Sequence, residues 1–521
     1  MAVGTFAAIN VGSFELELGI YEISHKNGIQ CVDHIRHVIA LGKDTYSLGK
    51  IRYNLVEEMC QVLKNFVQVM KTYRVKDYKA YGTSALREAG NHQMILDQIQ
   101  VRTGLKVRII SNSEQRFISY KAIAAKGSEF NKIIQKGTAI VDVGFGSAQL
   151  SLFDKDTLVT TQNLPLGTLR IRGLLSGIPA TVEERRVQIE EIVDNQLLAF
   201  RKMYLKDRSI THLIGIGENI LYLTRRMDTD SLGDKIDAKA MGRFYHHLCN
   251  MTTDQMEEYF GVNSEYASLL LPGAVVYQRM MELTGAEVVW IPGIHLCDGI
   301  AAEYGYENKL IKFSHNFEND ILAAARHMAK RYKCHNSHNQ VVEQYALAIF
   351  DSMGKHHGLG SRERLILQIG VILHSCGRFI SIKNFNECSY NIIMSTEIIG
   401  LSHLEREIIA NVVLYHVRDF DYQRVQMEAQ IHSCHQSGIS PGTITILIAK
   451  LTAVLRLAVS MDRSHRGKLT DCKIAVKERE LVITTWYQGD MALEAASFGD
   501  EAEFFEEIFG VKPVLKQKRR R

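Results

Sequence analysis

A glycine turn directly after a single carboxylate is the first feature of this sequence that could do chemistry. In residues 138–150, strand-type residues surround Asp142, and the chain then enters the turn Gly144-Phe145-Gly146-Ser147. Glycines at such a turn let backbone N–H groups approach an anion closely, and a carboxylate at a strand end can hold a divalent cation on a phosphate. The stretch therefore predicts a phosphate site with a metal ligand at Asp142.

A second copy of this pattern lies near the start of the sequence. Residues 6–9 are apolar, Asn10 takes the place of the acid, and Gly12 and Ser13 form the turn before an alternating strand resumes at Glu15. The two copies are about one domain length apart. A duplicated strand-turn-strand predicts two similar lobes that face each other across a phosphate-binding cleft.

The elements around the first copy are typical of an α/β lobe. Apolar residues recur at helical spacing over residues 51–73, whereas residues 78–81 and 107–110 are short strand-type runs. Helices are expected from about residue 91 and from the turn at 111–114 onwards. This alternation of strands and helices predicts an α/β lobe.

The second lobe is expected to continue from the opening stretch with the same alternation. A helix should begin at Thr181, because Glu184 stands three residues later and completes a capping box. Residues 212–217 and 288–291 are typical of strands, the first of which ends in glycines.

The C-terminal part has a different pattern, with nearly continuous helical periodicity from about Lys312. Helices are predicted over residues 321–332, 341–353, 362–374, 389–399, 405–417 and 443–460. Residues 472–486 then alternate like paired strands, and residues 501–509 are typical of a short helix. We therefore expect four parts: lobe I at 1–130, lobe II at 131–308, an all-α domain at 309–466 and a small α+β tail at 467–521.

Composition restricts the class of protein. The formal net charge of +4 on 521 residues is too small to indicate nucleic-acid binding, and the basic run at residues 516–521 is interpreted as a solvated tail. Nine cysteines without a C-x-x-C pair argue against a disulfide framework. Since no run of about 18 apolar residues occurs, we expect a cytoplasmic protein without a membrane span.

Taken together, these residues resemble the Ppx/GppA family, the exopolyphosphatases and guanosine pentaphosphate phosphohydrolases of the actin-like, ribonuclease H-like ATPase superfamily. The most specific motifs are residues 82–89 (GTSALREA), 140–144 (IVDVG) and 164–167 (LPLG). Residues 400–409, Tyr415-His416 and 455–465 look like the helical HD-type domain of the longer exopolyphosphatases.

The resemblance implies that inorganic polyphosphate or a guanosine polyphosphate lies in the cleft between the two lobes. Mg²⁺ would lie near Asp142, and Arg87 would help to hold the terminal phosphate. A glutamate of the family activates the attacking water. The phosphate-binding positions that the resemblance implies are Asn10, Gly12, Ser13, Thr83, Ser84, Gly144, Gly146, Ser147, Gly167, Gly215 and Gly217.

Three family carboxylates are replaced by amides in this chain, at Asn10, Gln115 and Gln149. An amide keeps the shape of the acid but loses its charge, its basicity and much of its affinity for a metal, so Mg²⁺ binding should be weakened. A general base is typically worth about 10²–10⁴-fold in rate, so Gln115 alone could cost about 3–5 kcal/mol. Glu114 is the nearest substitute, although adjacent helical positions point about 100° apart.

Other departures agree with a loss of chemistry. Phe145 replaces a glycine, Glu218 and Asn219 stand where the family has small and hydroxyl residues, and Ala302 stands in place of an arginine. In the helical domain the HD pair reads His374-Ser375, so we expect no metal there.

Simpler explanations exist for several of these residues. Arg87 could be a structural ion-pair residue, and Asp142 could merely cap a turn. His374, His403 and His416 are interpreted as helix-packing residues instead of ligands.

Two functions follow from the sequence. The first is a phosphoanhydride hydrolase with reduced activity on polyphosphate or guanosine pentaphosphate. The alternative is an inactive sensor, motivated by the lower electrostatic cost of holding a polyanion once three negative charges are gone. A structural relic that acts by dimerisation of the helical domain is a third hypothesis.

Overall fold

The computed structural model describes residues 4–205, 208–224, 226, 234–433 and 440–518. The end of the basic C-terminal run, residues 519–521, lies outside these ranges. Contacts within the chain divide it into two compact units, Met1–Phe317 and Glu318–Arg521. The first unit holds both α/β lobes.

Lobe I contains a five-stranded sheet in the order β3-β2-β1-β4-β5 with helices around it. Its elements are β1 (Gly4–Val11), β2 (Glu15–Ser24), β3 (Gly28–Val38), α1 (Leu41–Leu48), α2 (Tyr53–Thr72), β4 (Asp77–Gly82), α3 (Ser84–Glu88), α4 (His92–Thr103), β5 (Val107–Ile109), α5 (Asn112–Ala124) and α6 (Ser128–Ile133). The strand and helix alternation predicted for this lobe is confirmed.

The central strand β1 is buried on both faces, which explains its apolar run. It pairs antiparallel with β2 and parallel with β4. Helix α2 packs one apolar face, including Met59, Leu63 and Phe66, into the same core as Ile9. The helical spacing of these residues placed the helix correctly, because only one face of an amphipathic helix needs to be apolar.

Lobe II contains a six-stranded sheet in the order β10-β11-β9-β6-β7-β8. Its elements are β6 (Thr138–Val143), β7 (Ala148–Asp154), β8 (Thr157–Leu164), α7 (Thr168–Leu174), α8 (Val182–Phe200), β9 (His212–Ile216), α9 (Glu218–Thr224), β10 (Lys235–Asp237), α10 (Ala238–Cys249), α11 (Thr253–Phe260), α12 (Ser264–Thr284), β11 (Val288–Trp290) and α13 (Leu296–Glu307). The predicted capping box at Thr181 and Glu184 is present at the start of α8.

The two sheets repeat one topology. β6 pairs antiparallel with β7 and parallel with β9, as β1 does with β2 and β4. In the equivalent hairpins Asn10 lies opposite Glu17, and Asp142 lies opposite Gln149. The duplication predicted from the two glycine turns is therefore confirmed.

Helix α13 changes the expected boundary of lobe II. Its residues Cys297, Ile300 and Ala301 share a core with Phe6 and Tyr21 of lobe I. The expected range 131–308 is thus wrong at its end, because the chain returns to cover the sheet of lobe I. A linear sequence does not indicate such a return, since it depends on long-range packing.

The second unit is mainly helical with a three-stranded sheet at its end. Its elements are α14 (Phe317–Arg331), α15 (Asn336–Ser352), α16 (Gly354–His357), α17 (Ser361–Leu373), α18 (Phe385–Ser395), α19 (His403–Tyr415), α20 (Tyr422–Ser433), α21 (Pro441–Ser460), β12 (Cys472–Lys477), β13 (Glu480–Thr485), α22 (Ala492–Phe509) and β14 (Lys512–Gln517). The six predicted helices are all present, with ends displaced by a few residues.

The tail differs from its prediction in two ways. Helix α22 begins at Ala492, well before the expected residue 501, and β14 pairs parallel with β13 as a strand that was not predicted. Gly499 inside α22 weakened the helical signal, although Phe498 and Phe505 are both buried. The tail belongs to the same compact unit as the helices, so the boundary at 466 does not separate two units.

Helix α21 is the one described helix that is long and apolar enough to cross a membrane. More than half of its apolar window, 56%, is buried inside this unit, and Leu451, Leu455 and Leu457 are fully buried. Its apolar composition is therefore that of a core helix.

Candidate active site

A small cavity of about 100 Å³ lies where the two hairpin turns of the first unit face each other. Most of the residues predicted for the phosphate site line it. They are Asn10, Gly12, Ser13, Thr83, Ser84, Gln115, Asp142, Gly144, Gly146, Ser147, Gln149 and Gly217. The duplicated turn therefore placed the cleft correctly.

The two turns are closed in the same way. The Gly12 N–H donates to the Glu15 carbonyl at 3.0 Å, and the Gly144 N–H donates to the Ser147 carbonyl at 3.0 Å. These two N–H groups stabilise their own turns. The phosphate-binding role implied for Gly12 and Gly144 stays a prediction.

Gly167 and Gly215 do not line the cavity, contrary to their predicted role. A Cβ at Gly167 would lie 2.1 Å from the carbonyl carbon of Gly146, so Gly167 allows α7 to pack against the turn. A Cβ at Gly215 would lie 3.1 Å from the Val289 side chain. Both glycines are packing positions behind the site.

Gly217 has a role that only glycine can fill. Its φ of +96° is unfavourable for residues with a side chain, and a Cβ there would lie 2.9 Å from Oδ1 of Asp142. Behind it, the Tyr277 hydroxyl lies 2.5 Å from the Ile216 carbonyl and 3.2 Å from the Val141 carbonyl. This buried tyrosine joins the strand ends that carry Asp142 and Gly217.

Helix α5 presents Gln115, not Glu114, to the cavity. Gln115 and Ser119 are one turn apart and both line it. Glu114 accepts a hydrogen bond from the Ser111 N–H at 2.9 Å and pairs with Arg108 at 2.6 Å. Glu114 is therefore committed to the start of α5 and is not placed to act as the substitute base.

Arg87 does not line the cavity either. Its guanidinium donates to the Ile110 carbonyl at 2.5 Å and to the side chain of Asn112. Both acceptors lie where the chain enters α5. Arg87 therefore fixes the position of the helix that carries Gln115.

Four titratable side chains that the sequence did not assign to the site also line the cavity: Glu15, Glu17, Glu218 and His295. Glu15 and Glu17 lie on one face of β2, while Glu218 begins α9 and His295 precedes α13. The Glu218 carboxylate contacts both Arg36 and the His295 imidazole. Two acids with period-2 spacing after a glycine turn are a signal that could have identified Glu15 and Glu17.

Burial and like charge shift the titration of these acids. Burial, with the charges of Glu218 and Glu17, raises the pKa of Glu15 to about 8, and burial raises the pKa of Glu17 to about 7. Burial also raises the pKa of Asp142 to about 6, partly offset by the charge of Arg116. For Glu218, His295 and Arg36 outweigh the effect of burial and lower the pKa.

The acidic side chains of the cleft therefore stand at other positions instead of being absent. Amides occupy positions 10, 115 and 149, while carboxylates occupy positions 15, 17 and 218 of the same cavity. The loss of three charges at the family positions stays a prediction, since Glu218 has a lowered pKa whereas burial raises the pKa of Glu15 and Glu17. The sequence comparison considered single positions around the two turns. The acids of a cavity, however, come from all of its walls.

A larger groove of about 910 Å³ lies beside the cavity. Its walls carry four cationic side chains, Lys43, Arg170, Arg172 and Arg185, and one carboxylate, Glu265. Tyr46 lines the groove and contacts Ser13 at 2.8 Å and Ser84 at 3.0 Å, both of which line the cavity. Three hydroxyls thus stand between a cationic groove and the acidic cavity.

Comparison with known proteins agrees with this geometry. Residues 20–302 match the Ppx/GppA phosphatase family, and residues 322–498 match domain III of Ppx/GppA phosphatases. The chain belongs to the Ppx/GppA phosphatase family. The family predicted from the glycine turns is confirmed.

Two curated relatives of this Ppx/GppA chain have names that refer to different substrates. It is 20% identical to a guanosine-5'-triphosphate,3'-diphosphate pyrophosphatase of Photobacterium profundum, over 92% of this chain and 91% of the relative. It is 21% identical to exopolyphosphatase 1 of Mycobacterium leprae, over 56% of this chain and 87% of the relative.

A solved exopolyphosphatase of Cytophaga hutchinsonii has the same fold as the first unit. It aligns with a TM-score of 0.52 at 18% identity and covers 59% of this chain and 99% of that chain. The actin-like ATPase fold predicted for the two lobes is confirmed by this likeness.

The residues around Asp142 fit a hard divalent cation. Buried amide oxygens of Gln149 and Asn10 have no hydrogen-bond partner within the part of the chain that the structure describes. Carboxylate and amide oxygens are the ligands that Mg²⁺ and Ca²⁺ take in proteins. Asp142, Gln149 and Asn10 could therefore hold Mg²⁺, with only one charged ligand among them.

Five histidines of the second unit of this Ppx/GppA chain line a cavity of about 260 Å³: His335, His338, His374, His416 and His465. His374 and His416 donate through Nδ1 to the Val371 and Val413 carbonyls, and His338 contacts Asp462 at 2.7 Å. His403 does not line this cavity and contacts Arg406 at 3.0 Å. The expectation that no metal binds at His374-Ser375 stays a prediction.

Proposed function

We propose that this chain is a phosphoanhydride hydrolase that releases terminal orthophosphate from inorganic polyphosphate or guanosine pentaphosphate at a reduced rate. The observation that carries the proposal is the hydroxyl cluster of Ser13, Tyr46 and Ser84, which joins the cationic groove to the cavity of Asp142. A polyanion in the groove would direct its end towards these hydroxyls.

Binding is the part of the mechanism that the groove supports best. Arg170 stacks over the Tyr46 ring at 4.3 Å and donates to the Gly146 carbonyl at 2.9 Å. The guanidinium also pairs with the Glu88 carboxylate at 2.7 Å, so it is fixed beside the turn and a phosphate would share it with Glu88. Lys43 and Arg172 flank it and share the single carboxylate Glu265.

Chemistry at the terminal phosphate depends on position and charge. When bound at Asp142, Mg²⁺ would neutralise charge that develops on the phosphoryl oxygens. The Ser13 and Ser84 hydroxyls would orient the terminal group. Gln115 can orient a water molecule through its amide, but it cannot take the proton of that water, which is the reason for the reduced rate.

The sensor remains the second candidate function, for a specific reason. Gln115 occupies the cavity wall and Glu114 is held by Arg108, so a base is missing at the family position. The electrostatic argument for a sensor is weakened mainly by Glu218, whose pKa is lowered by His295 and Arg36, because burial raises the pKa of Glu15 to about 8 and that of Glu17 to about 7. Binding without turnover would then rest on the cationic groove alone.

Several further expectations belong to this proposal. The helical part of the second unit is proposed to be HD-like, Mg²⁺ to be the catalytic cation, and the protein to act in the cytoplasm. A homodimer is proposed as well, and neither a membrane nor specific nucleic acid is expected as a partner.

The test is orthophosphate release from polyphosphate and from guanosine pentaphosphate with Mg²⁺. We expect slow release by the wild type, loss of release in Asp142→Asn, and a gain in Gln115→Glu of up to about 10²–10⁴-fold. Gln100→Glu, the same change on an exposed face of α4, is the matched control and should leave the rate unchanged.

Two other outcomes test the hydrolase against the sensor. Binding of polyphosphate in calorimetry, with no release by the wild type or by Gln115→Glu, would establish the sensor and refute the hydrolase. Absence of both binding and release would refute both functions.

A further inference from the structure

A second set of metal-ligating side chains occupies the cleft, away from Asp142. Ligand atoms of Glu17, Glu218 and His295 lie within 4.8 Å of one another. A second overlapping group of Glu17, His34 and Cys297 meets the same criterion. Glu17 is common to both groups, so it lies at the centre of five side chains that can ligate a metal.

These side chains come from distant parts of the chain and are held in place. Glu17 is on β2, Glu218 starts α9 of lobe II, and His295 directly precedes α13. His34 on β3 lies against His295, with ring centroids 4.5 Å apart and the rings tilted by 51°. The site is therefore built where both lobes and α13 converge.

Two buried polar atoms without a hydrogen-bond partner lie beside these side chains. The side chain of Glu15 is only 4% exposed, and its Oε2 has no hydrogen-bond partner among the described residues. Its nearest cation is Arg36, at 3.8 Å. The buried Nε2 of His34 likewise has no hydrogen-bond partner in the described part of the chain. Buried polar groups without partners are costly, so their presence in one place calls for a ligand.

The charges favour a cation as that ligand. Glu15, Glu17 and Glu218 contribute three carboxylates to the cavity, and Arg36 contacts two of them, Glu15 and Glu218. Glu17 accepts only weak contacts, from Asn10 at 3.4 Å and from the Cys297 thiol at 3.7 Å. A divalent cation beside Glu17 would stabilise the ionised form of this buried acid, which has no close cationic partner among the described residues.

We propose that Glu17, Glu218 and His295 bind a borderline divalent cation of the Zn²⁺ class, with a coordination position open to the cavity. Imidazole together with carboxylates favours such a cation over Mg²⁺, which prefers oxygen ligands alone. Three protein ligands and one open position are the arrangement of catalytic zinc sites. Glu15 lines the same cavity, and His34 and Cys297 have ligand atoms within 4.8 Å of that of Glu17.

The site is distinct from the Mg²⁺ position at Asp142. It uses none of the residues Asn10, Asp142 and Gln149, and it contains a nitrogen ligand. The inference does not depend on the proposed hydrolase function, because the cation can be bound and measured without any substrate.

Zn²⁺ binding to the full-length chain tests the proposal. Chelator-stripped protein is titrated calorimetrically with Zn²⁺ and, in a second arm, with Mg²⁺, and bound zinc is counted by elemental analysis after gel filtration. We expect Glu218→Gln and His295→Ala to lose one equivalent of zinc or to weaken its affinity about 10–100-fold. Mg²⁺ should not compete for this equivalent.

Matched controls separate this site from other zinc-binding side chains. Glu57→Gln and His37→Asn change the same residue types at exposed positions and should keep the equivalent. His338→Asn removes a histidine of the second unit and should leave this equivalent intact as well.

The variant Glu17→Gln distinguishes loss of zinc binding from a folding defect. Because this change removes a buried acid, the stripped variant should melt no lower than the wild type, whereas the rise in Tm caused by Zn²⁺ should be lost. Equal zinc stoichiometry and affinity in the wild type, Glu218→Gln and His295→Ala would overturn the proposal. So would a wild type that binds no zinc beyond that of Glu17→Gln.

Discussion

At the scale of residues, the two hairpins of the cleft carry the same pair of groups in opposite order. In lobe I the amide of Asn10 is on the first strand and the carboxylate of Glu17 on the second. In lobe II the carboxylate of Asp142 is on the first strand and the amide of Gln149 on the second. Each hairpin therefore keeps one carboxylate and one amide oxygen.

Substitution of Arg87 distinguishes a positioning role of this residue from a phosphate-binding role. In Arg87→Lys a single ammonium cannot serve both the Ile110 carbonyl and Asn112, so the protein should lose about 1–2 kcal/mol of stability. Orthophosphate release should fall with it, because α5 and Gln115 are displaced. Urea unfolding and release kinetics measure the two effects.

The control for this change is Arg102→Lys, which alters an ion pair with Glu57 on the protein surface. Its stability should be nearly unchanged, because exposed ion pairs contribute little to the free energy of unfolding. A raised KM in Arg87→Lys with unchanged stability would show that Arg87 binds phosphate after all.

At the scale of elements, the site depends on how closely α7 packs against the lobe II turn. The backbone of Gly167 touches that of Gly146 and Ser147, and a Cβ at Gly146 would collide with the Tyr46 hydroxyl at 2.0 Å. The segment before α7 thus determines where the turn, the hydroxyl cluster and Arg170 meet.

Gly167→Ala should therefore displace the lobe II turn that lines the cleft. The added methyl group meets backbone atoms that cannot move aside, so we expect a loss of about 1–3 kcal/mol in the free energy of unfolding. Affinity for polyphosphate should fall as well. Urea unfolding and calorimetry provide the measurements.

Gly173→Ala is the control on the same helix. A Cβ at Gly173 meets no atom within 4 Å, and alanine favours helix over glycine, so stability should rise by about 0.5–1 kcal/mol. If both variants changed stability equally, close packing at Gly167 would not be the cause.

At the scale of the whole molecule, the second unit should be the acid-sensitive part of the chain. Burial lowers the pKa of His416 to about 4, with further contributions from Arg456, Arg378 and His338. Burial and the charge of His416 also lower the pKa of His374 well below its usual range. These histidines are therefore neutral in the folded unit.

Stability of this unit should fall as the pH decreases from about 6.5 to about 4. In that range the unfolded chain binds protons that folded His416 does not, and the full stability is present above about pH 6.5. The shift of His416 corresponds to about 3 kcal/mol. Urea unfolding at successive pH values measures the slope.

His416→Asn should make this slope shallower, whereas the exposed His37→Asn should leave it unchanged. An identical slope in the wild type and His416→Asn would show that other groups cause the acid sensitivity.

The sequence by itself determined the elements of this protein and the centre of its cleft. Period-2 and helical spacing identified the strands and helices, because local burial sets these patterns. The duplicated turn located Asp142, Ser13 and Gln149 in one cavity, because strand, turn and returning strand are adjacent in sequence.

Only the tertiary structure decided which other groups meet there. Glu218 and His295 are 77 residues apart, Glu218 and Arg36 are 182 residues apart, and α13 returns to lobe I across the whole of lobe II. Contacts of this kind arise from packing between distant segments, which local patterns do not encode. For the same reason, only the folded chain shows what the side chains of Arg87 and Glu114 contact. It is also the folded chain that shows which acids line the cleft.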